Sequence, residues 1–469
     1  LLKIQTATCR AINAEREGRQ KLLTAKNAKK IGQEREAIEQ KFTELIYTNW
    51  FIRTDLYEPR KSQGLMMAKQ QGNILTAIDV GSAKTCALVA EVTDAGLRYR
   101  GHGVAQSHGS RKGVIFELDK AVLAIQKAVE AAEDSAGVAV EHAIVGIGGS
   151  HVRGINSHGG ISLGTRPREI GRDEIKQAVE RARGIPLPAD REVLHLLPQE
   201  FILDEQAGVH DPLGMMAARL EVRVHLVTAA ASATQNVITA VNRAGVHVDD
   251  TVFEPLGGAD ALLRADEREL GVCLADVGAG STELVVFLQG AVAYTGVIPI
   301  GGDHFTSDLS MGMCTPLAEA EKIKKIYGNV IVTLIPEGNE VEVPSVGDRP
   351  SRLLPQRLVG EILEPRAREL FEMMRDALRQ CGMFDACRAG IVLSGGGSRL
   401  PGIFDVAEGV LRRPVRLSWP TPLARMPSDL AEPEYATVLG MVAYGHRARV
   451  ARGFQGERWG SRLKAMLVG

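Results

Sequence analysis

Aromatic residues are scarce in this chain, at 4% of 469 residues, whereas glycine is abundant with 50. A chain of this length and make-up has room for two to four domains, each with its own core. Charge of either sign is also lacking in excess: 56 Lys and Arg against 57 Asp and Glu leave a net charge of -1. Nothing global therefore draws the chain to nucleic acid, and no nucleic-acid partner is expected. The six cysteines (Cys9, Cys86, Cys273, Cys314, Cys381, Cys387) show no CxxC spacing. They read as reduced thiols of a cytoplasmic protein without a zinc site. No apolar run approaches the roughly 20 residues that span a bilayer, and no signal-peptide pattern is present.

What the chain does have is a strand-to-glycine turn built three times. The first is Ile74-Leu75-Thr76-Ala77-Ile78-Asp79-Val80-Gly81-Ser82-Ala83-Lys84-Thr85, and the second is Val272-Cys273-Leu274-Ala275-Asp276-Val277-Gly278-Ala279-Gly280-Ser281-Thr282. Each apolar run ends in an acid, followed by small residues whose backbone N–H groups can approach an anion closely. The third, Gly390-Ile391-Val392-Leu393-Ser394-Gly395-Gly396-Gly397-Ser398-Arg399, runs an apolar strand into a glycine triplet. One such turn alone is usually a hairpin. All three in this order resemble the two phosphate motifs and the adenosine motif of the actin, sugar-kinase and heat-shock-chaperone ATPase superfamily.

That resemblance implies an α/β, actin-like ATPase fold, with two lobes around a nucleotide cleft and with ATP and Mg2+ as cofactors. Gly81, Ser82, Ala83, Lys84, Gly278, Ala279, Gly280 and Ser281 would surround the phosphates, with Gly302 as a further close-approach glycine. Asp79 and Asp276 would face each other across the phosphates and hold Mg2+ through bound water. Lys84 reads either as a point charge for a terminal phosphate oxygen or as a solvated surface lysine. Glu321 and Lys324, three apart on one helix face, match residues that reach ribose and adenine, or form only an i,i+3 ion pair. Gly395, Gly396 and Gly397 would pass the adenosine, and Arg399 would lay its guanidinium on the adenine face. Glu254, in Phe253-Glu254-Pro255, resembles the chaperones' water-organising glutamate, which makes it the catalytic candidate, or it is an acid at the start of a helix. Glu283 stands where chaperones carry an acid after their second clamp. Slow ATP turnover and nucleotide serving as structural glue both stay open.

The texture along the chain suggests these divisions. Residues 1–72 differ from the rest of the chain and read as an upstream artefact or a partly helical tail, Met66 and Met67 being natural starts. A first lobe (1A) takes 73–147, 227–256 and 425–446, with a helix expected over Asp119–Ser135 and a strand over His142–Ile147. Residues 148–226 form an inserted subdomain (1C) with a helix over Arg172–Arg183 and a proline-punctuated loop through Pro186, Pro188 and Pro198. A second lobe (2A) takes 257–310 and 381–424, with a helix-rich insert (2B) over 311–380. The two halves read as a diverged duplication.

Three segments outside the clamps narrow the resemblance: Val193-Leu194-His195-Leu196-Leu197-Pro198-Gln199-Glu200-Phe201, Asp266-Glu267-Arg268-Glu269-Leu270-Gly271-Val272-Cys273, and Val341-Glu342-Val343-Pro344-Ser345-Val346-Gly347-Asp348-Arg349-Pro350. From about Asn73 to Arg447 the chain resembles the FtsA family of bacterial division proteins. Such proteins form actin-like filaments and tether FtsZ filaments to the inner face of the membrane at the septum. The resemblance implies that Arg352 and Arg366 in the second insert receive the FtsZ C-terminal peptide through bidentate pairs, although either also reads as a surface ion-pair partner. It further implies that 1C receives other division proteins. Residues 447–469 read as a basic linker and an amphipathic helix with Trp459, Leu463, Met466 and Leu467 on one face and Arg462 and Lys464 at its rim. That pattern suits an in-plane membrane helix on an anionic surface, the alternative being a helix docked on its own domain. Half-burying four apolar side chains is worth ~3–6 kcal/mol at about 25 cal/mol per Å2, so one tail binds weakly and a filament of tails binds firmly. A pilus-assembly-type adaptor and a sugar-kinase-like phosphotransferase share the clamps and are the rival readings.

Overall fold

A computed structural model describes residues 73–347 and 349–450. The upstream residues 1–72 and the expected membrane helix lie outside the described residues. Among the described residues no helix is long and apolar enough to cross a membrane.

The first half opens with β1 (Ile74–Val80), β2 (Lys84–Thr93) and β3 (Gly96–Gln106), followed by α1 (Leu118–Ala136) and β4 (His142–Ile147). Ala121, Ile125, Ala128 and Ala132 recur at helical spacing in α1 and are buried. The helix stops at Gly137, which takes the left-handed conformation (φ 68°) and donates its N–H to the Glu133 carbonyl. Gly103 on β3 lets α1 lie directly on the sheet, because a methyl group there would strike the Ala128 carbonyl and the Ala132 backbone nitrogen. Helix and strand positions in this half agree with the periodicity of the sequence.

The inserted block holds β5 (Arg153–Ser162), α2 (Arg172–Arg183), β6 (Arg191–Leu203), β7 (Gln206–Val209) and β8 (Arg219–Ala230). Its antiparallel strands lie in the order β7-β6-β8-β5, with α2 burying Ile175, Ala178, Val179 and Ala182 against them. Pro198 corrects the expectation of a loop, for it sits inside β6. The chain tolerates it because the register slips there: Arg223 faces Glu200 while Val224 faces Pro198, leaving Gln199 as the extra residue of a bulge. A proline lacks the ladder N–H and is accommodated at such a bulge.

The first half then closes with α3 (Ala231–Arg243), β9 (His247–Phe253) and α4 (Glu254–Leu262). The second half brings α5 (Ala265–Leu270), β10 (Val272–Val277), β11 (Thr282–Leu288), β12 (Ala291–Ile298), α6 (Gly302–Gly312) and α7 (Leu317–Tyr327). Its insert adds the hairpin β13 (Glu340–Val343) and β14 (Arg352–Pro355) before the long α8 (Gln356–Gln380). It ends with β15 (Gly390–Ser394), α9 (Ile403–Leu411) and β16 (Val415–Leu417), after which a last helix, α10, over 436–450 returns to the first half, where Gly445 lies against Ile144 and Leu75.

Duplication is visible in the sheet orders, β3-β2-β1-β4-β9 in one half and β12-β11-β10-β15-β16 in the other. Each is an antiparallel three-strand meander extended by two parallel strands. The parallel strands are reached through crossovers that carry helices, which cover the sheet faces. Consequently β1, β4 and β9 all release the chain at one sheet end, as do β10 and β15 in the other half. Ligands of open α/β sheets lie beyond the carboxyl ends of such strands.

Two polar links tie the layers. The insert meets the second sheet where His225 on β8 faces Thr295 on β12, Nε2 to Oγ1 at 3.0 Å, and Gln199 donates to the Val292 carbonyl at 2.9 Å. Burial pushes the His225 imidazole down to about 4, so it is neutral at physiological pH. At the end of α4, Asp260 pairs with Arg268 at 3.1 Å and also with Arg447 of α10. Arg268 in turn stacks on Phe287, 4.7 Å from the ring centre.

Candidate nucleotide cleft

Both clamps are β-hairpin turns whose register fixes their acids. Asp79 faces Cys86 across β1 and β2, whereas Asp276 faces Glu283 across β10 and β11 and lies beside Ser394 of β15. The second turn is closed by the Gly278 N–H donating to the Ser281 carbonyl at 3.0 Å. Gly302 and Asp303 donate their N–H groups to the Gly278 and Ala279 carbonyls at 2.9 and 2.8 Å, which fastens the N-terminus of α6 to this turn. The positive end of that helix accordingly points at the cleft. The two clamps nearly touch, since a methyl on Gly280 would lie 2.8 Å from the Ser82 hydroxyl.

Between them lies a cavity of about 700 Å3, and every residue assigned to nucleotide or metal from the sequence lines it. The first clamp (Asp79, Gly81, Ser82, Ala83, Lys84) is opposed by the second (Asp276, Gly278, Ala279, Gly280, Ser281). Gly302, Glu321 and Lys324 close one side, Gly395, Gly396, Gly397 and Arg399 another, and Glu254 joins the acids. Glu321 and Lys324 form the ion pair their spacing allows, at 2.6 Å, while remaining on the wall. Lys324 also reaches the Gly302 carbonyl at 2.9 Å, bracing α7 against the start of α6.

Four carboxylates converge here: Asp79, Glu254, Asp276 and Glu283. Burial, followed by the charge of Asp276, pushes Asp79 up to about 7, with Lys84 opposing. Burial pushes Glu283 up to about 8, offset by the Gly149 N–H donated to its Oε1 and reinforced by the two aspartates. Glu254 is raised well above the usual carboxylate range by burial and then by Glu283. Asp276 is raised by burial, although the Thr437 hydroxyl donates to its Oδ2 at 2.8 Å. Glu283 is 5% exposed and its Oε2 has no hydrogen-bond partner. An orphaned oxygen among four acids, with no thiol or imidazole on the cavity wall, fits a hard divalent cation such as Mg2+. Lys84 does not neutralise the group alone, because its ammonium lies 3.2 Å from Glu434 and 3.4 Å from the Tyr435 ring centre.

Two cleft residues have no signature in the sequence. Glu434 and Thr437 precede and open α10, far from any glycine turn, and Glu434 also holds Arg399 at 3.4 Å. Gly148 and Gly149 are packed under the acids, since a methyl on Gly148 would lie 2.6 Å from Glu283 Oε1 and also strike Glu254. Here a signal does exist. Ile147-Gly148-Gly149-Ser150 after β4 repeats Ser394-Gly395-Gly396-Gly397-Ser398 after β15, and the duplication puts the two at equivalent places.

Gly395 has a positive φ of 80°, and a methyl on it would lie 2.6 Å from the Val277 carbonyl and press on Asp276 Oδ1. With ψ at 165° this is an extended, positive-φ conformation that is essentially reserved for glycine and costs another residue about 1–3 kcal/mol. Gly395→Ala should therefore lower stability by about 2 kcal/mol or more and displace Asp276, as thermal melts and nucleotide titration would report.

The two arginines assigned to a partner lie away from this cavity. Arg366 on α8 holds Asp308 with both Nε, at 2.6 Å, and Nη2, at 3.0 Å, and also pairs with Glu369. Arg352 on β14 is exposed and donates to the Met313 carbonyl. Trp459, Arg462, Leu463, Lys464, Met466 and Leu467 lie outside the described residues.

Comparison with known proteins accords with this architecture. The family model described as "Cell division protein FtsA" matches residues 273–440, and that described as "SHS2 domain inserted in FTSA" matches residues 149–228. The chain is 42% identical over 381 residues to the cell division protein FtsA of Pseudomonas aeruginosa, covering 81% of this chain and 91% of the relative. It is 32% identical over 393 residues to FtsA of Escherichia coli K12, covering 82% and 93%. Among solved structures it resembles a PilM–PilN type IV pilus biogenesis complex (TM-score 0.57, 18% identity, 79% and 98% covered). It also resembles MreB5 of Spiroplasma citri bound to ADP (TM-score 0.50, 10% identity, 82% and 99% covered). At those identities the structural likenesses speak for an actin-like fold alone.

Proposed function

Because this chain belongs to the FtsA family of cell division proteins, we propose that it binds ATP with Mg2+ in the cleft, polymerises, and tethers FtsZ filaments to the cytoplasmic face of the membrane at the division septum. The observation that carries the nucleotide part is the convergence of two glycine clamps and four proton-hungry carboxylates on one cavity. Asp79 and Asp276, one from each half, would hold the cation, directly or through water, and Glu283 would accept from its water shell. When bound, Mg2+ supplies positive charge that screens the phosphates and lets the acids ionise. The remaining clamp N–H groups would orient the phosphate chain with the positive end of α6 behind them, that helix's first N–H groups being already given to Gly278 and Ala279, and Lys84 would exchange Glu434 for a phosphate oxygen. Gly395, Gly396, Gly397 and Arg399 border the nucleoside end with Glu321 and Lys324. Glu254, first residue of α4, would orient a water beside the cation, burial and the neighbouring Glu283 having raised its proton affinity in the metal-free cleft.

Lobes that share one ligand close around it, and closure presents complementary faces to the next subunit. For the FtsZ peptide, Arg352 is the more available anchor, while Arg366 must first release Asp308. Subdomain 1C would face later division proteins. Binding of a synthetic FtsZ C-terminal peptide to the purified chain separates this reading from a pilus-type adaptor or a phosphotransferase, which predict none.

Membrane attachment is tested by liposome co-sedimentation with ATP. Truncation before Gly453 should reduce the bound fraction at least tenfold on anionic vesicles, because a filament multiplies a weak tail contact through effective concentration. Equal sedimentation of the two forms would leave the proposed tether without its anchor.

A further inference from the structure

At the sheet end opposite the cleft, β4 and β9 both begin with histidine. His142 and His247 are direct partners in the parallel register, and their rings meet edge to face with centroids 5.2 Å apart. Two residues further along β9 the pairing slips, Val248 facing Ala143 while Asp250 faces Ile144, so that Asp249 is the extra residue of a β-bulge. Bulges re-aim side chains. This one turns the Asp249 carboxylate to His142, with Oδ1 2.8 Å from Nδ1. One donor atom from each of His142, His247 and Asp249 lies within 4.8 Å of the other two. All three residues are exposed, and His142 and Asp249 border a hollow of about 440 Å3 that Arg449 of α10 also lines.

We propose that His142, His247 and Asp249 form a binding site for a divalent transition-metal ion, with Zn2+ as the chemistry it fits best. Two imidazoles and one carboxylate, with the remaining positions open to water, are a donor set for Zn2+ and its neighbours rather than for Mg2+. The alternative use of the same atoms is a plain His–Asp hydrogen bond, but that engages only two of the three residues and leaves the register match of His247 without a role. A metal here lies a full strand length from Asp79, since β4 and β9 run from this edge to the cleft, so it takes no part in nucleotide chemistry. Instead it clamps the starts of two strands whose far ends deliver Gly148 and Glu254 to the cleft.

The test uses the untagged full chain, stripped with chelator, titrated first with Zn2+ by calorimetry and then with Co2+ by absorption. Expected are one saturable equivalent of Zn2+ that persists in excess Mg-ATP, and visible Co2+ bands without thiolate charge transfer. His142→Ala and His247→Gln, each checked by circular dichroism to be folded, should weaken binding at least tenfold. No saturable binding, binding undiminished in both variants, or a Co2+ spectrum with a thiolate band would overturn the assignment.

Discussion

Asp276→Ala should lose on the order of a hundredfold in Mg-dependent ATP affinity, about 2.7 kcal/mol, and yet melt higher than the unsubstituted protein in chelator at pH 8. The two effects share a cause. Asp276 is one of four acids packed around a cavity, and its charge is the largest neighbouring influence that raises Asp79. Removing it takes away one jaw of the proposed cation site and leaves the Thr437 hydroxyl without its acceptor. It also relieves the like-charge repulsion that the nucleotide-free cleft must bear. Functional sites commonly trade stability for preorganised charge in this way. Equilibrium nucleotide binding and a thermal melt on one preparation check both halves. A variant that binds ATP normally, or that melts no higher than the unsubstituted protein in chelator at pH 8, would contradict this picture.

The same carboxylates set a pH dependence. Unfolded, Asp and Glu release their protons near pH 4; folded, Asp79 holds its proton to about 7 and Glu283 to about 8. Between those limits these acids bind more protons in the native state than in the unfolded chain, so the stability they contribute falls as pH rises and their effect levels off above the folded values. Histidine complicates the acid side. His225, lowered to about 4 by burial, contributes the opposite slope up to its unfolded value of about 6.5. The clean window is therefore about pH 6.5–8.5, where the metal-free protein should lose on the order of a few kcal/mol, several degrees in melting temperature. Saturating Mg-ATP should flatten the slope, because ionised acids are then what the site requires. Metal-free melts that stay level or rise across this window would be inconsistent with buried, proton-retaining acids.

Much of the candidate site is legible in the sequence because the strand-to-glycine turn recurs three times in one order, where a single Asp-Gly turn would read as a hairpin. A run such as Leu274-Ala275-Asp276-Val277-Gly278 marks both the strand and its turn, and the helix Arg172–Arg183 declares itself by four apolar residues on one face. What stays hidden depends on pairing between distant segments. Thr437 reaches Asp276 across 161 residues of chain, and Glu434 gathers Lys84 and Arg399 from opposite halves. Neither residue sits in a turn with recognisable chemistry. Pro198 misleads for a related reason: proline argues against a strand unless a bulge absorbs it, and a bulge is a property of two strands together. Arg366 shows the converse. Its partner Asp308 lies 58 residues earlier on another helix, so the sequence displays an available guanidinium where the fold supplies a bidentate acceptor.

If acids from two duplicated halves grip one Mg-nucleotide, then calorimetric titration of the folded chain with ATP, in Mg2+ and then in chelator, must register the grip. One saturable site is expected in Mg2+, at least tenfold weaker without it, with proton release that shrinks as pH rises through about 7 to 8, because carboxyls already ionised in the free cleft have no proton left to give up on binding. No heat with ATP and Mg2+, or identical binding with and without the cation, would contradict it.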